Sequence, residues 1–415
     1  MSTFAKGVIR DTLIQLIGRG LSATITLLFT LYLARHLGSF YFGEYTKVIA
    51  YITLFYMGID FGLNPVFLRL TNGHIASNVA TLLKLRMLMA VGLSVLSVLL
   101  ALTLIDLHLG FEWTSLPGVA ISSLAIVGYA LIMTHQVAFQ ARLKFWPSVL
   151  AQILGNATSL LMVLLVFSQV KTEISQVYWA LFATSLGLVV SGGVGWIWLA
   201  KLVQLKQKID ISWKKLLLQS WPLGATLIAN VIYFRIDSLI LAASRGNMEV
   251  GVYGLAYRFF ELILVLPTFI MNSLYPRLLS GSKDGSFQSK TTLIILITFF
   301  SLGLIVSGVT WWGAPYVGLI KRDYVSSVEL LRVLAISLPI FFLTSPLMWL
   351  YVLRGNQKQL LYIYLVGLVF NVGANLSLVS MYGATASAWI TGATEVLVLI
   401  LGVVFLKKYV NTQTT

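Results

Sequence analysis

Residues 12–34 read TLIQLIGRGLSATITLLFTLYLA, and this stretch decides the fold. It is apolar apart from one arginine, a few hydroxyls and one amide. It exceeds the ~20 residues that a helix needs to cross a bilayer. It is also longer than the apolar core of a cleavable leader and lacks a small-residue cleavage site, so it is expected to be a retained span. Similar runs follow near 44–68, 85–105, 117–139, 147–166 and 177–200, then near 221–243, 250–274, 292–317, 328–353, 360–381 and 385–406. The expected fold is an all-α integral membrane protein of about twelve transmembrane helices.

Composition agrees. The 415 residues are 58% hydrophobic and 10% charged, with mean hydropathy +0.89. A water-covered surface needs roughly 25% charged residues, so lipid must cover most of this chain. The net charge of +15 would suggest nucleic acid on a soluble protein. Here the bias between alternate loops accounts for it. With the N-terminus inside, most Lys and Arg, including Arg86, Lys201, Lys206, Lys208, Lys214, Lys215, Lys407 and Lys408, fall on the cytoplasmic side. Fewer, including Lys47, Lys171, Arg245 and Arg332, fall opposite. Both termini are expected inside, with the basic loops against an anionic leaflet and no nucleic-acid partner. There is no cysteine, hence no disulfide or thiolate metal site. The four histidines, His36, His74, His108 and His135, have no metal-ligand spacing.

The halves repeat. Leu33-Ala34 and Gly38 recur as Leu241-Ala242 and Gly246. Gly43-Glu44-Tyr45 recurs as Gly251-Val252-Tyr253, and Arg69-Leu70 as Arg277-Leu278. Six spans per half is an even number, so the halves run parallel, with a central cavity expected between them. The expected domains are a six-helix bundle over 1–205, a cytoplasmic linker over 206–219 and a second six-helix bundle over 220–415.

Polar residues inside the spans fall on helical faces. Gln15 and Arg19 continue into Ser22, Thr26 and Thr30; Tyr56 and Asp60 into Asn64. Asn156 lies on the fifth span, Asn230, Tyr233 and Asp237 on the seventh, Tyr257 and Glu261 on the eighth, Asn371 and Asn375 on the eleventh, and Glu395 on the last. Ionisable groups in hydrocarbon usually face a cavity or a partner, whereas hydroxyls and amides also serve as packing contacts. Candidate cavity-lining groups are Gln15, Tyr56, Asn156, Asn230, Tyr233, Tyr257, Asn371 and Asn375. Asp60, Asp237, Glu261 and Glu395 are candidates for ion coupling or structural pairs. Arg258 stands three residues before Glu261, close enough to pair. Arg19 has two other readings, snorkelling to the inner headgroups and a structural ion pair with Asp60.

Leu33-Ala34-Arg35-His36-Leu37-Gly38 followed by Phe42-Gly43-Glu44-Tyr45 resembles the opening pattern of bacterial polysaccharide flippases. These belong to the multidrug/oligosaccharidyl-lipid/polysaccharide exporter superfamily. Asp60-Phe61-Gly62-Leu63-Asn64, Ile236-Asp237, Gly251-Val252-Tyr253, Tyr257-Arg258, Pro267 and Leu274-Tyr275-Pro276-Arg277 continue the resemblance through both halves. Phe42 and Ser39 depart mildly from it, standing where Tyr and Pro are usual. The resemblance implies a flippase of the bacterial cytoplasmic membrane, and a monomer is expected. Its substrate would be an undecaprenyl-diphosphate-linked oligosaccharide moved from the inner to the outer leaflet for O-antigen, capsule or exopolysaccharide synthesis. Membrane lipids and the polysaccharide assembly machinery are the other expected partners.

A diphosphate needs cations, and Arg19, Arg235 and Arg258 are the candidates. No catalytic residue, metal or cofactor is expected; coupling to a proton or sodium gradient would use one of the four carboxylates. Two alternatives remain open: a cation-coupled drug or small-molecule exporter of the same fold, and a membrane polysaccharide polymerase or ligase. The second would need a sizeable outer loop, and the short spacings between spans leave no room for one.

Overall fold

A computed structural model describes residues 3–71, 75–142, 145–202, 212–282, 289–353 and 357–413; within these, the side chains of 3–16, 75–77, 202, 272–273, 275–282, 289–291, 352–353, 357 and 407–413 lie outside the description. The helices are α1 (Thr3–Asp60), α2 (Leu63–Thr71), α3 (Ile75–Asp106), α4 (Ser115–Ala141), α5 (Trp146–Val166), α6 (Glu173–Leu202), α7 (Trp213–Arg245), α8 (Asn247–Ser282), α9 (Ser289–Gly313), the single turn α10 (Pro315–Gly318), α11 (Val325–Leu353) and α12 (Gln357–Gln413). A short 3₁₀ turn, Arg322–Tyr324, precedes α11. There is no strand among the described residues.

Ten described helical stretches are long and apolar enough to cross a membrane. Two of them, Ile17–Thr71 with 55 residues and Lys358–Leu406 with 49, would be about 80 and 75 Å long if straight, at 1.5 Å per residue. A bilayer core is only about 30 Å thick. Each is bent. Gly38 in α1 takes φ 71° and ψ 175°, and Gly383 in α12 takes φ 59° and ψ −145°. Only glycine adopts such angles without steric cost, so each long helix is a pair of spans joined at one residue. That restores the expected count of about twelve. Gly246, between α7 and α8, has φ 83°. It stands in the same register of the second repeat as Gly38 in the first, so the repeat is visible in backbone angles as well as in letters.

The chain divides into two compact units, Met1–Arg235 and Ile236–Thr415. The division falls inside α7, so the first half of that helix packs with the first unit. The sequence reading instead places a linker at 206–219, of which 206–211 lie outside the described residues.

In the first unit α6 packs on α4 and α5, and α1 packs on α3, α4, α5 and α6. Small residues allow this close approach. A Cβ at Gly128 of α4 would lie 2.6 Å from the Val189 nitrogen of α6, so these backbones nearly touch. In the second unit α11 packs on α8, α9 and α12.

Two basic residues near span ends, counted with the charge of one side or the other, are buried instead. Lys47 is 1% exposed. Its ammonium pairs with Glu44 at 2.7 Å and donates to the Gly110 carbonyl at 2.8 Å and to Ser115 Oγ at 3.1 Å. The three partners match the three ammonium donors. Arg86 is fully buried within α3. The charge count missed both, because it assigns a basic residue near a span end to one side whether or not that residue has buried partners.

Candidate functional site

The first unit carries two polar groups of residues. The first lies between α1 and α5. Arg19 is exposed, and Ser22, one helical turn further, is buried. Thr26 and Thr30 return their hydroxyls to the carbonyls of Ser22 and Thr26, each at 2.9 Å. The Asn156 amide of α5 donates to Ser22 Oγ at 2.7 Å, Thr26 Oγ1 at 3.0 Å and the Ser22 carbonyl at 3.2 Å. Asn156 therefore fastens α5 to the polar face of α1, leaving Arg19 at the exposed end of that face. The Gln15 side chain lies outside the described residues.

The second group centres on Arg86. Its Nη2 donates to Asn64 Oδ1 at 2.6 Å and its Nη1 to Thr134 Oγ1 at 3.4 Å. Its buried Nε has no acceptor among the described residues. Asp60 and Tyr129 lie within electrostatic reach, and Tyr129 stacks on Tyr56 with ring centres 4.7 Å apart and planes at 13°. The cation beside Asp60 is thus Arg86, not Arg19 as one sequence reading had it. The reason is positional. Asp60 ends α1, where Phe61 and Gly62 take φ 41° and 66° and turn the chain so that Asn64 meets α3. Arg86 was legible in principle, since Val79, Leu82, Arg86 and Ala90 recur at three- and four-residue spacing and all are buried. Lys84, off that stripe, is exposed.

On α7, Asn230 and Arg235 are half-buried and Tyr233 is buried. Tyr233 packs edge-on against Phe234 at 4.8 Å.

In the second unit Asp237 is 2% exposed. One carboxylate oxygen accepts the Ser238 N–H at 2.6 Å and the other accepts the Tyr253 hydroxyl. Tyr253 also meets Thr391 Oγ1 at 3.4 Å and Tyr257 with ring centres 5.4 Å apart. Arg258 and Glu261 form the pair expected from their spacing, at 3.3 Å, each about a quarter exposed.

Glu395 is buried and accepts the Thr344 hydroxyl. Asn375 donates to Asn371 Oδ1 at 3.1 Å, Asn371 to Thr394 Oγ1 at 3.3 Å, and Ser387 to Asn375 Oδ1 at 3.0 Å. This network joins the two limbs of α12 across the Gly383 bend. Asn371 and Asn375, at 2% and 0% exposure, are therefore packing contacts and not the cavity lining expected of them. Each finds its partner inside the unit, which removes the need for water.

The expected residues sort into two kinds. Asp60, Asp237, Glu395, Tyr233, Tyr257, Asn371 and Asn375 belong to interior networks or packing. Arg19, Arg235 and Arg258 stand at exposed or half-buried positions. Among the described residues no three His, Asp or Glu side chains group as a metal site.

A family model described as "Polysaccharide biosynthesis protein" matches residues 8–282, well over half of the chain. A second, described as "MatE", matches residues 222–376. A Shigella dysenteriae protein named "Putative O-antigen transporter" is 24% identical over 373 residues, covering 86% of this chain and 90% of the relative. An uncharacterized membrane protein of Methanocaldococcus jannaschii is 26% identical over 316 residues, covering 71% of this chain and 73% of that one. Among solved structures, the lipid II flippase MurJ in an inward closed conformation superposes with TM-score 0.78 at 15% identity, covering 95% of this chain and 87% of that chain. An inward-facing multidrug resistance transporter of the MATE family superposes with TM-score 0.76 at 14% identity, covering 94% and 95%. Identity this low establishes the shared fold alone. With a multi-pass helical fold beside it, the family match establishes that this chain belongs to the polysaccharide biosynthesis protein family.

Proposed function

We propose that the protein flips an undecaprenyl-diphosphate-linked oligosaccharide from the inner to the outer leaflet of a bacterial cytoplasmic membrane, by alternating access, for O-antigen, capsule or exopolysaccharide synthesis. The observation that carries this reading is the α1 face. An exposed guanidinium, Arg19, lies inside a span at the end of a ladder of hydroxyls held by Asn156. A cation held in an apolar span suits a diphosphate that must leave water. The half-buried Tyr56 offers aromatic surface for sugars. The Shigella relative named for O-antigen transport and the fold shared with a lipid II flippase support the same substrate class. Flipping changes no bond, so the transporter needs no nucleophile.

The test is flipping of a fluorescent lipid-linked oligosaccharide in liposomes carrying the full chain. Arg19→Gln is expected to slow flipping about 10- to 100-fold, the equivalent of a charge-assisted hydrogen bond of roughly 1.5–3 kcal/mol. Arg19→Lys should keep most of the rate. A wild-type rate in Arg19→Gln, with the protein inserted and monodisperse, removes Arg19 from the substrate site.

The MatE match over 222–376 favours a second reading, export of drugs or other small molecules. Cationic drugs need acidic sites, and the carboxylates Asp237 and Glu395 are buried and engaged. Drug export by the wild type, with no flipping of any lipid-linked sugar, would decide for the exporter.

A further inference from the structure

The second unit contains a cavity of about 730 Å³ that none of the transport residues line. Its walls come from the end of α9, from α10, from the first three turns of α11 and from Trp389 of α12. Most of the lining is apolar, and its two charged residues are Glu329 and Arg332 of α11. The guanidinium of Arg332 lies over the Trp311 ring, 5.4 Å from its centre. Its buried Nε has no acceptor among the described residues. No ion pair or hydrogen bond from Arg332 to a described residue accompanies that ring contact. A buried donor of a charged group is costly to leave unmade. The site therefore offers a guanidinium whose buried Nε still lacks an acceptor to whatever enters the cavity.

We propose that this cavity holds the headgroup of a phospholipid of the phosphatidylethanolamine class, with its phosphate on Arg332 and its ammonium on Glu329. Position argues for a lipid. The cavity sits where α9 ends and α11 begins, at the edge of two spans, and Trp311, Trp312, Tyr316 and Trp389 are all exposed there. Exposed Trp and Tyr at span ends mark the membrane interface. Order along α11 argues for it too. Glu329 and Arg332 lie within the first turns of the helix, after Val325 and Val328, and Val333 and Ile336 follow deeper in the span. Arg332 is about 10 Å along the helix from Val325, within reach of the headgroup layer. Ile336, the deepest lining residue of α11, is exposed, so acyl chains can leave the cavity there along apolar surface. A soluble anion would have no use for that exit. One cation and one carboxylate on successive turns match the two charges of a zwitterionic head, whereas a phosphatidylglycerol head would bring no ammonium for Glu329.

The experiment is native mass spectrometry of the delipidated full chain in mild detergent, given equal amounts of phosphatidylethanolamine and phosphatidylglycerol. Wild type is expected to retain one phosphatidylethanolamine in preference. Arg332→Gln should retain at least fivefold less, and Arg332→Lys should retain most of it. Glu329→Gln should still bind a lipid but lose the preference for phosphatidylethanolamine. Val325→Trp, which fills the mouth and leaves Arg332 intact, should exclude the lipid; it serves if Arg332→Gln does not fold. Undiminished retention in Arg332→Gln or Val325→Trp overturns the proposal. Displacement of the lipid by inorganic phosphate alone would make this a bare anion site, and displacement by maltotriose a sugar site; either overturns it.

Discussion

Arg86 is a fully buried cation whose neighbours come from three other stretches of chain: Asp60 at the end of α1, Asn64 in α2, and Tyr129 and Thr134 in α4. A charge so placed must be satisfied locally, because bulk water cannot reach it. Asn64 supplies its shortest bond, at 2.6 Å. Asn64→Ala is therefore expected to destabilise the protein by about 1.5–3 kcal/mol, the usual range for a hydrogen bond to a charged group. Thermal unfolding of the full chain in detergent measures this. A change within error would mean that the guanidinium readily finds another acceptor. The residues of the Asp60–Asn64 segment were legible in the sequence. Their partner was not, because Arg86 lies beyond the intervening turn, near a span end, where it counts as cytoplasmic charge.

At the scale of elements, two glycines turn single helices into span pairs. A Cβ at Gly383 would collide with the Glu249 carboxylate. That carboxylate has work of its own. It accepts the Ala384 N–H at 2.8 Å just past the bend and pairs with Arg245 at 2.9 Å. The end of α7, the start of α8 and the bend of α12 are thereby tied at one side chain. Gly383→Ala is expected to lose about 1–2 kcal/mol to the left-handed backbone alone, and more to the displaced Glu249. The added substitution Glu249→Ala should remove the collision but not the backbone cost, so the pair should be less than additive. Strict additivity in a thermal unfolding cycle would show that the carboxylate moves aside freely. The spans themselves were legible from hydropathy to within a few residues. That two pairs would be continuous helices bent at one glycine was not, because a glycine in apolar sequence also serves close packing, as Gly128 does.

At the scale of the whole molecule, orientation is the most direct prediction. The chain has no cysteine, so an introduced thiol is the only one present. Loop charge places Gln169 outside and Thr412 inside. Gln169→Cys in intact cells should react with a membrane-impermeant maleimide, and Thr412→Cys only after permeabilisation; the reverse pattern would invert the topology. Sequence alone determined the solvent, the number of spans and the repeat, because burial in lipid is a property of composition and period, summed over many residues. It also supplied the candidate polar residues. Tertiary structure decided which of them meet. It enclosed Asn371, Asn375, Asp237 and Glu395 in interior networks, left Arg19 exposed on its span, and buried Arg86 and Lys47, counted by sequence as charge at span ends, in the core. The physical reason is that a buried polar group is stable only with a partner, and such partners commonly lie tens of residues away in the chain.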